Sequence, residues 1–321
     1  MLYLSDQDIK DFKLNWNKNI QVIEQAIACI REKDYVQPVK PYLRYRDKKN
    51  RIIAMPAFVG GNINMSGIKW IASFPDNIRQ QIPRAHCVVV LNDPDTGVPT
   101  GILNSGSISA VRTASVSGLV LKKYLESRNP EKVVVGIIGF GPIGQYHLDM
   151  CNELLGDTIS EVLIYDLKEI NPANIPEAIK DKVRVVEEWQ KAYVNADVFM
   201  TCTASKDRYI NEKPKPGSLH LNVSLRDYTT DVYPWFSKAI VVDDWKEVCR
   251  ENTDIESFHK ENNLQEEDVK RIEDIVFIDY FNTIDPEQAI LFNPMGMAVF
   301  DIAISSSYLS RALEEQAGVS L

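Results

Sequence analysis

Apolar residues near the start of the chain recur at helical spacing. Ile9, Phe12, Leu14, Trp16, Ile20, Ile23, Ala26 and Ile30 predict an amphipathic helix from Ser5 to about Lys33, and Ser5 with Asp8 has the form of a capping box. From Pro41 to Ile108 the period shortens. Arg51 to Met55, Gly67 to Ala72 and Cys87 to Leu91 read as strands, and Asn92 to Gly97 is dense in turn residues. A helix is expected from Val111 to about Leu125. Beyond it, short apolar runs alternate with helical stretches: 133–138, 162–166, 183–186, 198–203, 218–223 and 239–243 are candidate parallel strands. Residues 247–274 are charged and helical in character, which reads as a solvated face. A last helix, Ala298 to about Gln316, is expected to return to the first domain.

This order predicts an α/β protein: a doubly wound Rossmann domain over 128–288, and an α+β domain over 1–127 completed by 289–321. A chain of 321 residues, 45% hydrophobic, can build two cores. The net charge of −9 argues against nucleic acid, whose phosphates call for a basic face. Cys29, Cys87, Cys151, Cys202 and Cys249 are scattered and odd in number, as reduced thiols are. His86, His147, His220 and His259 lack metal-ligand spacing, so no metal is expected. No leader pattern and no apolar run of about 18 residues is visible. A cytoplasmic protein without a membrane partner is the expectation.

The run Val133 to Ile138 leads directly into Gly139-Phe-Gly141-Pro-Ile-Gly144. In such a turn Gly139 permits the sharp bend, Gly141 lets the backbone approach a pyrophosphate, and Gly144 lets the following helix pack closely. Pro142 suits a first helical turn, where its missing N–H costs nothing. The helix N-terminus would then face phosphate oxygens. Asp166 closes the next apolar run, where a carboxylate accepts from ribose hydroxyls and repels a 2′-phosphate. NAD is thus favoured over NADP, with Lys168 close by as the opposing charge.

Three cations occupy unusual places in the first domain. Arg44 ends Gln37-Pro-Val-Lys-Pro-Tyr-Leu-Arg44, Lys69 interrupts an apolar strand, and Arg112 opens a helix. A buried cation is costly without an anion. Lys69 could equally sit on an edge strand with its ammonium in water, and Arg112 could serve a helix-packing salt bridge. Convergence of the three on a carboxylated substrate is the alternative.

Five segments, Arg51 to Ala57, Ser66 to Trp70, Leu91 to Pro99, Val111 to Ser117 and the glycine turn, stand in the order that resembles the ornithine cyclodeaminase/μ-crystallin family. The likeness covers nearly the whole chain. Gln37 to Arg44, Val241 to Trp245 with Cys249 to Glu251, and Ile290 to Ala298 with Asp301 are similar to one branch, the dehydrogenases that release 2,3-diaminopropionate from its glutamate conjugate. The resemblance implies substrate binding by Arg44, Met55, Lys69, Arg112 and Asp301. It implies catalytic roles for Lys69 and Asp227, and cofactor binding by Arg112, Thr113, Gly139, Gly141, Pro142, Ile143, Gly144, Asp166, Thr203 and Ser224. It further implies NAD as cofactor, a small amino-acid conjugate as substrate, a homodimer formed through the first domain, and a pyridoxal-phosphate synthase as upstream pathway neighbour. Asp227 could instead be a turn aspartate, and Asp301 a helix or interdomain anchor. Leu225-Arg-Asp-Tyr-Thr-Thr230 departs from the glycine-rich segment usual in the cyclodeaminases, and the family's Gly-Arg pair before the last strand is absent. Ornithine cyclisation, ketimine reduction, alanine dehydrogenation and non-catalytic binding of the crystallin type are the other activities on this fold.

Overall fold

Two eight-stranded sheets organise the chain, one in each of two units. The computed structural model describes residues 1–321. Met1–Val116 with Met297–Leu321 form the first unit, and Ser117–Gly296 the second.

In the first unit the strands are β1 (Leu2–Ser5), β2 (Tyr35–Val36), β3 (Tyr42–Leu43), β4 (Arg51–Val59), β5 (Met65–Ser73), β6 (Ala85–Asn92) and β7 (Pro99–Asn104), with Val319–Ser320 at one edge beside β1. β4, β5 and β6 form an antiparallel meander in which Met55 pairs with Lys69 and Lys69 with Val89. Lys69 therefore lies on an interior strand, and the edge reading fails. Alternation sends Met55, Ala57, Val59, Lys69, Cys87 and Val89 to one buried face. The C-terminal helix Ala298–Glu314 packs on that face across β4, β5 and β6. The opposite face stays partly exposed: Trp70 is 43% accessible, and Pro56, Phe58, Ser66 and Ile68 line a cavity of about 360 Å³.

The single N-terminal helix expected from periodicity is two. Helix α1 (Asp6–Asp11) begins at the Ser5 capping box and ends at an extended Phe12; α2 (Trp16–Glu32) begins afresh where the Asn15 side chain accepts from the Lys18 N–H at 2.8 Å. A second N-cap in mid-pattern supplies the break. Asp6 then accepts from Ser105 Oγ at 2.5 Å and the Ser107 N–H at 3.2 Å, an anion at the start of α3 (Gly106–Arg128). Burial pushes the Asp6 carboxyl up, but the bonds from Lys10, Ser105 and Ser107 outweigh it and hold it at about 2.

The boundary between units falls inside α3, at Val116/Ser117, not at 127/128. Gly106–Arg128 is helical throughout, Gly118 included, so no loop marks the boundary.

The second unit is a parallel sheet of β8 (Val133–Ile138), β9 (Ile159–Tyr165), β10 (Val183–Val185), β11 (Val198–Thr201), β12 (Leu219–Asn222), β13 (Ile240–Val242), β14 (Lys270–Arg271) and β15 (Ile290–Asn293). Their order is β10-β9-β8-β11-β12-β15-β13-β14. β15 pairs with β12 and β13, which places 290–293 in this unit and not in the first. Its four residues are fully buried, as a strand covered on both faces requires. Residues 247–274 are short helices and a strand, not one solvated helix; Glu247 and Asp254 are buried within them. No helix is long and apolar enough to cross a membrane.

Candidate functional site

Sheet order reverses between β8 and β11, whose C-terminal ends flank a topological switch point, the usual place for a ligand in such sheets. Gly139 leaves β8 there with φ +87°, and a Cβ on it would stand 2.6 Å from the Cys202 carbonyl oxygen. Gly141 caps helix α4 (Pro142–Leu155), and a Cβ built on it meets nothing within 4 Å. A Cβ on Gly144 would lie 2.2 Å from the Gly139 carbonyl oxygen. The turn thus has a bend that glycine takes without strain, an open approach and a tight helix contact, which is the fit a dinucleotide pyrophosphate needs. Ile143 lies in the first turn of α4, and its carbonyl oxygen is 2.8 Å from His147 Nδ1. Asp166, just past β9, accepts the Phe140 N–H at 2.6 Å and the Lys168 N–H at 2.8 Å. These bonds fix the carboxylate beside the turn.

At the ends of β11 and β12, Thr203 and Ser224 converge on Asp227. Thr203 Oγ1 donates to Asp227 Oδ1 at 2.5 Å and Ser224 Oγ donates to Oδ2. The Asp227 residue is fully buried. Its loop holds Leu225 at φ 65°, a strained value for a branched residue, secured by the Leu225 N–H to Asn222 Oδ1 bond at 3.1 Å.

In the first unit, Asp301 of the C-terminal helix receives Lys69 Nζ at 2.8 Å and Arg112 Nε at 2.7 Å, both on Oδ1. Oδ2 is buried without a partner. Burial and then the Arg112 charge push the Lys69 ammonium down to about 8, against the opposing pull of Asp301. Burial pushes the Asp301 carboxyl up, but Arg112 and Lys69 together hold it below the usual range. Two cations share one carboxylate, and the cluster carries net positive charge. Met55 stands directly across the ladder from Lys69. Thr113 follows Arg112 and donates to the Ser109 carbonyl at 2.8 Å. Arg44 is placed differently: it is exposed, its guanidinium 4.6 Å from the Tyr42 ring centroid.

The model of the ornithine cyclodeaminase/mu-crystallin family matches residues 4–316. The chain belongs to this family. Among relatives, N-((2S)-2-amino-2-carboxyethyl)-L-glutamate dehydrogenase of Staphylococcus aureus is 33% identical over 100% of this chain and 98% of its own length. Alanine dehydrogenase of Archaeoglobus fulgidus is 24% identical over 99% and 97%. Among solved structures, Thermococcus litoralis Δ1-pyrroline-2-carboxylate reductase, in complex with NADH and L-proline, superposes with a TM-score of 0.87 at 23% identity, each chain covered completely. It shares the fold.

One residue of this family member escaped the reading of the sequence. Asp254, fully buried, accepts from Arg208 Nε at 2.7 Å, Asn222 Nδ2 at 3.0 Å, and the Asp227 and Tyr228 N–H groups at 3.1 and 3.2 Å. Burial raises its carboxyl to about 6 in spite of those donors. It anchors the backbone that presents Asp227. Its only signal in the sequence was Thr253-Asp254 opening a new helix inside a charged stretch, and charge there suggested solvent.

Proposed function

We propose that the chain is an NAD-dependent dehydrogenase that cleaves N-(2-amino-2-carboxyethyl)-L-glutamate, with water and NAD+, to 2-oxoglutarate, 2,3-diaminopropionate, NADH and a proton. The buried pair Lys69 and Arg112 on the single carboxylate of Asp301 carries this reading. An uncompensated positive charge in a dry sheet face is costly unless an anion arrives, and the conjugate has three carboxylates. The relative that shares a third of its sequence over the full length acts on this compound by name.

Gly139, Gly141, Pro142, Ile143 and Gly144 would hold the pyrophosphate and Asp166 the ribose, with Arg112, Thr113, Thr203 and Ser224 as further cofactor contacts. Held there, NAD would supply the acceptor for the hydride that leaves the glutamate α-carbon. Arg112, with Arg44, binds substrate carboxylates, where a guanidinium can donate two parallel bonds. Met55 packs beside the ligand, and Asp301 holds both buried cations in place. Lys69, poised near neutral pH, carries a proton to or from the substrate nitrogen. Loss of C–H and N–H gives a C=N bond, to which water adds before the C–N bond breaks. Asp227, fixed by the Thr203 and Ser224 hydroxyls, accepts the proton of that water.

The product would feed siderophore or other natural-product assembly, with a pyridoxal-phosphate synthase supplying the conjugate. The protein works as a cytoplasmic homodimer joined through the partly exposed sheet face around Trp70. Mass spectrometry of the purified protein with conjugate and NAD+ tests the activity. Both 2-oxoglutarate and 2,3-diaminopropionate are expected; unconsumed conjugate, alongside turnover of ornithine, alanine or a cyclic imine, would overturn it.

A further inference from the structure

Beyond the buried cluster, the first unit gathers a second set of cations. Arg51 opens β4, four residues before Met55 and on the same face by alternation. Tyr42 of β3 pairs with Ile53, midway between them. The Arg51 guanidinium lies 5.8 Å from the Tyr42 ring centroid and that of Arg44 at 4.6 Å. Arg84 immediately precedes Ala85 of β6, which pairs with Ser73, the ladder partner of Arg51; it is half-buried, and burial first and the Arg51 charge second hold it below its ordinary value. Neither Arg51 nor Arg84 forms an ion pair, and the acids of the flanking segments, Asp47 and Asp76, are taken by Lys49.

We infer that Arg51 and Arg84, with the Tyr42 ring beside Arg51, form a second carboxylate subsite that selects substrates with a carboxylate remote from the one held at Lys69 and Arg112. The Arg51 and Arg84 guanidinium groups, neither in an ion pair, repel each other until an anion binds. Stacking on Tyr42 uses the flat face of a guanidinium and leaves its edge N–H groups to grip a carboxylate in bidentate fashion. Register sets Arg51 about 13 Å along β4 from the Met55–Lys69 pair, at about 3.3 Å per residue, a gap that a long side chain from each end narrows. A ligand with one carboxylate fills one end; one with carboxylates several bonds apart reaches both. The inference rests on the proposed activity for the identity of the ligand, whose remote carboxylate belongs to either the glutamate γ-carbon or the diaminopropionate end.

Calorimetric titration of the NADH-loaded protein with the conjugate, its γ-amide and its diaminopropionate-end amide separates these sources. The parent should bind the conjugate at least about tenfold more tightly than one of the two amides, because a site built around guanidinium groups rejects an analogue that leaves them unpaired. Arg51→Gln and Arg84→Gln should abolish that preference while weakening the disfavoured amide little, and Arg51→Lys should restore part of it. Melting temperatures of the variants, expected at or above the parent's, show that the fold is intact. Equal weakening of all three ligands, no weakening, or a parent that does not discriminate among them would overturn the subsite. Failure of the activity reading looks different: discrimination is kept, yet the parent forms no NADH from the conjugate.

Discussion

Asp301 decides how Lys69 behaves. It is the only negative charge in contact with a lysine that burial and Arg112 both push toward neutrality. If Lys69 accepts a proton in turnover, kcat/KM should rise with pH and level off above about 8. Arg112→Ala removes a charge that lowers the lysine, so its limb moves to higher pH. Asp301→Asn removes the charge that raises it, so the limb moves to lower pH. A pH profile of kcat/KM for the three proteins checks the signs; movement of both limbs in one direction would exclude Lys69. Asp254 offers a second test. Asp254→Ala leaves Arg208 Nε and two backbone N–H groups without their acceptor and should cost about 3–5 kcal/mol in a denaturant titration. Asp254→Asn, which keeps the shape, should lower kcat on the order of 100-fold by misplacing Asp227, with KM little changed. Both residues show where sequence stops. Lys69 was visible as a cation in an apolar strand, but its partner lies 232 residues away, and nothing local marks such a pair. Asp254 looked solvated because its neighbours are charged, and only the fold turns it inward.

The glycine turn is legible for the opposite reason. Its constraints are local, so Gly139, Gly141 and Gly144 declare a bend, an opening and a close approach within six residues. Their separate roles predict separate failures. Gly141→Ala has φ −70° and free space, so the melting temperature should hold while NAD affinity, followed by fluorescence titration, falls at least about tenfold. Gly139→Ala should lose stability as well, by about 1–3 kcal/mol or more, from its positive φ and its collision with Cys202. Equal NAD affinity in Gly141→Ala and parent would remove the pyrophosphate from that opening. Other elements were read less well where tertiary packing overrides the local pattern. A helical period carried through Phe12–Asn15 although a second cap restarts the helix, and β15 was assigned to the wrong unit because a four-residue buried run has no periodicity to announce its sheet.

At the scale of the molecule, each unit contributes its own chemistry. The first holds buried cations on a sheet face, and the second holds a dinucleotide turn and a fixed carboxylate. A homodimer joined, as proposed, through the partly exposed sheet face around Trp70 should give about twice 36.5 kDa by light scattering, with Trp70→Glu reducing it to a monomer. A monomeric parent would contradict this. In the proposed reaction a hydride leaves the glutamate α-carbon. Conjugate deuterated at that carbon, incubated with NAD+, tests it most directly. The label should appear in the reduced nicotinamide, one deuterium for each 2-oxoglutarate formed. Label retained in a product, or lost to water while the cofactor stays oxidised, would contradict it.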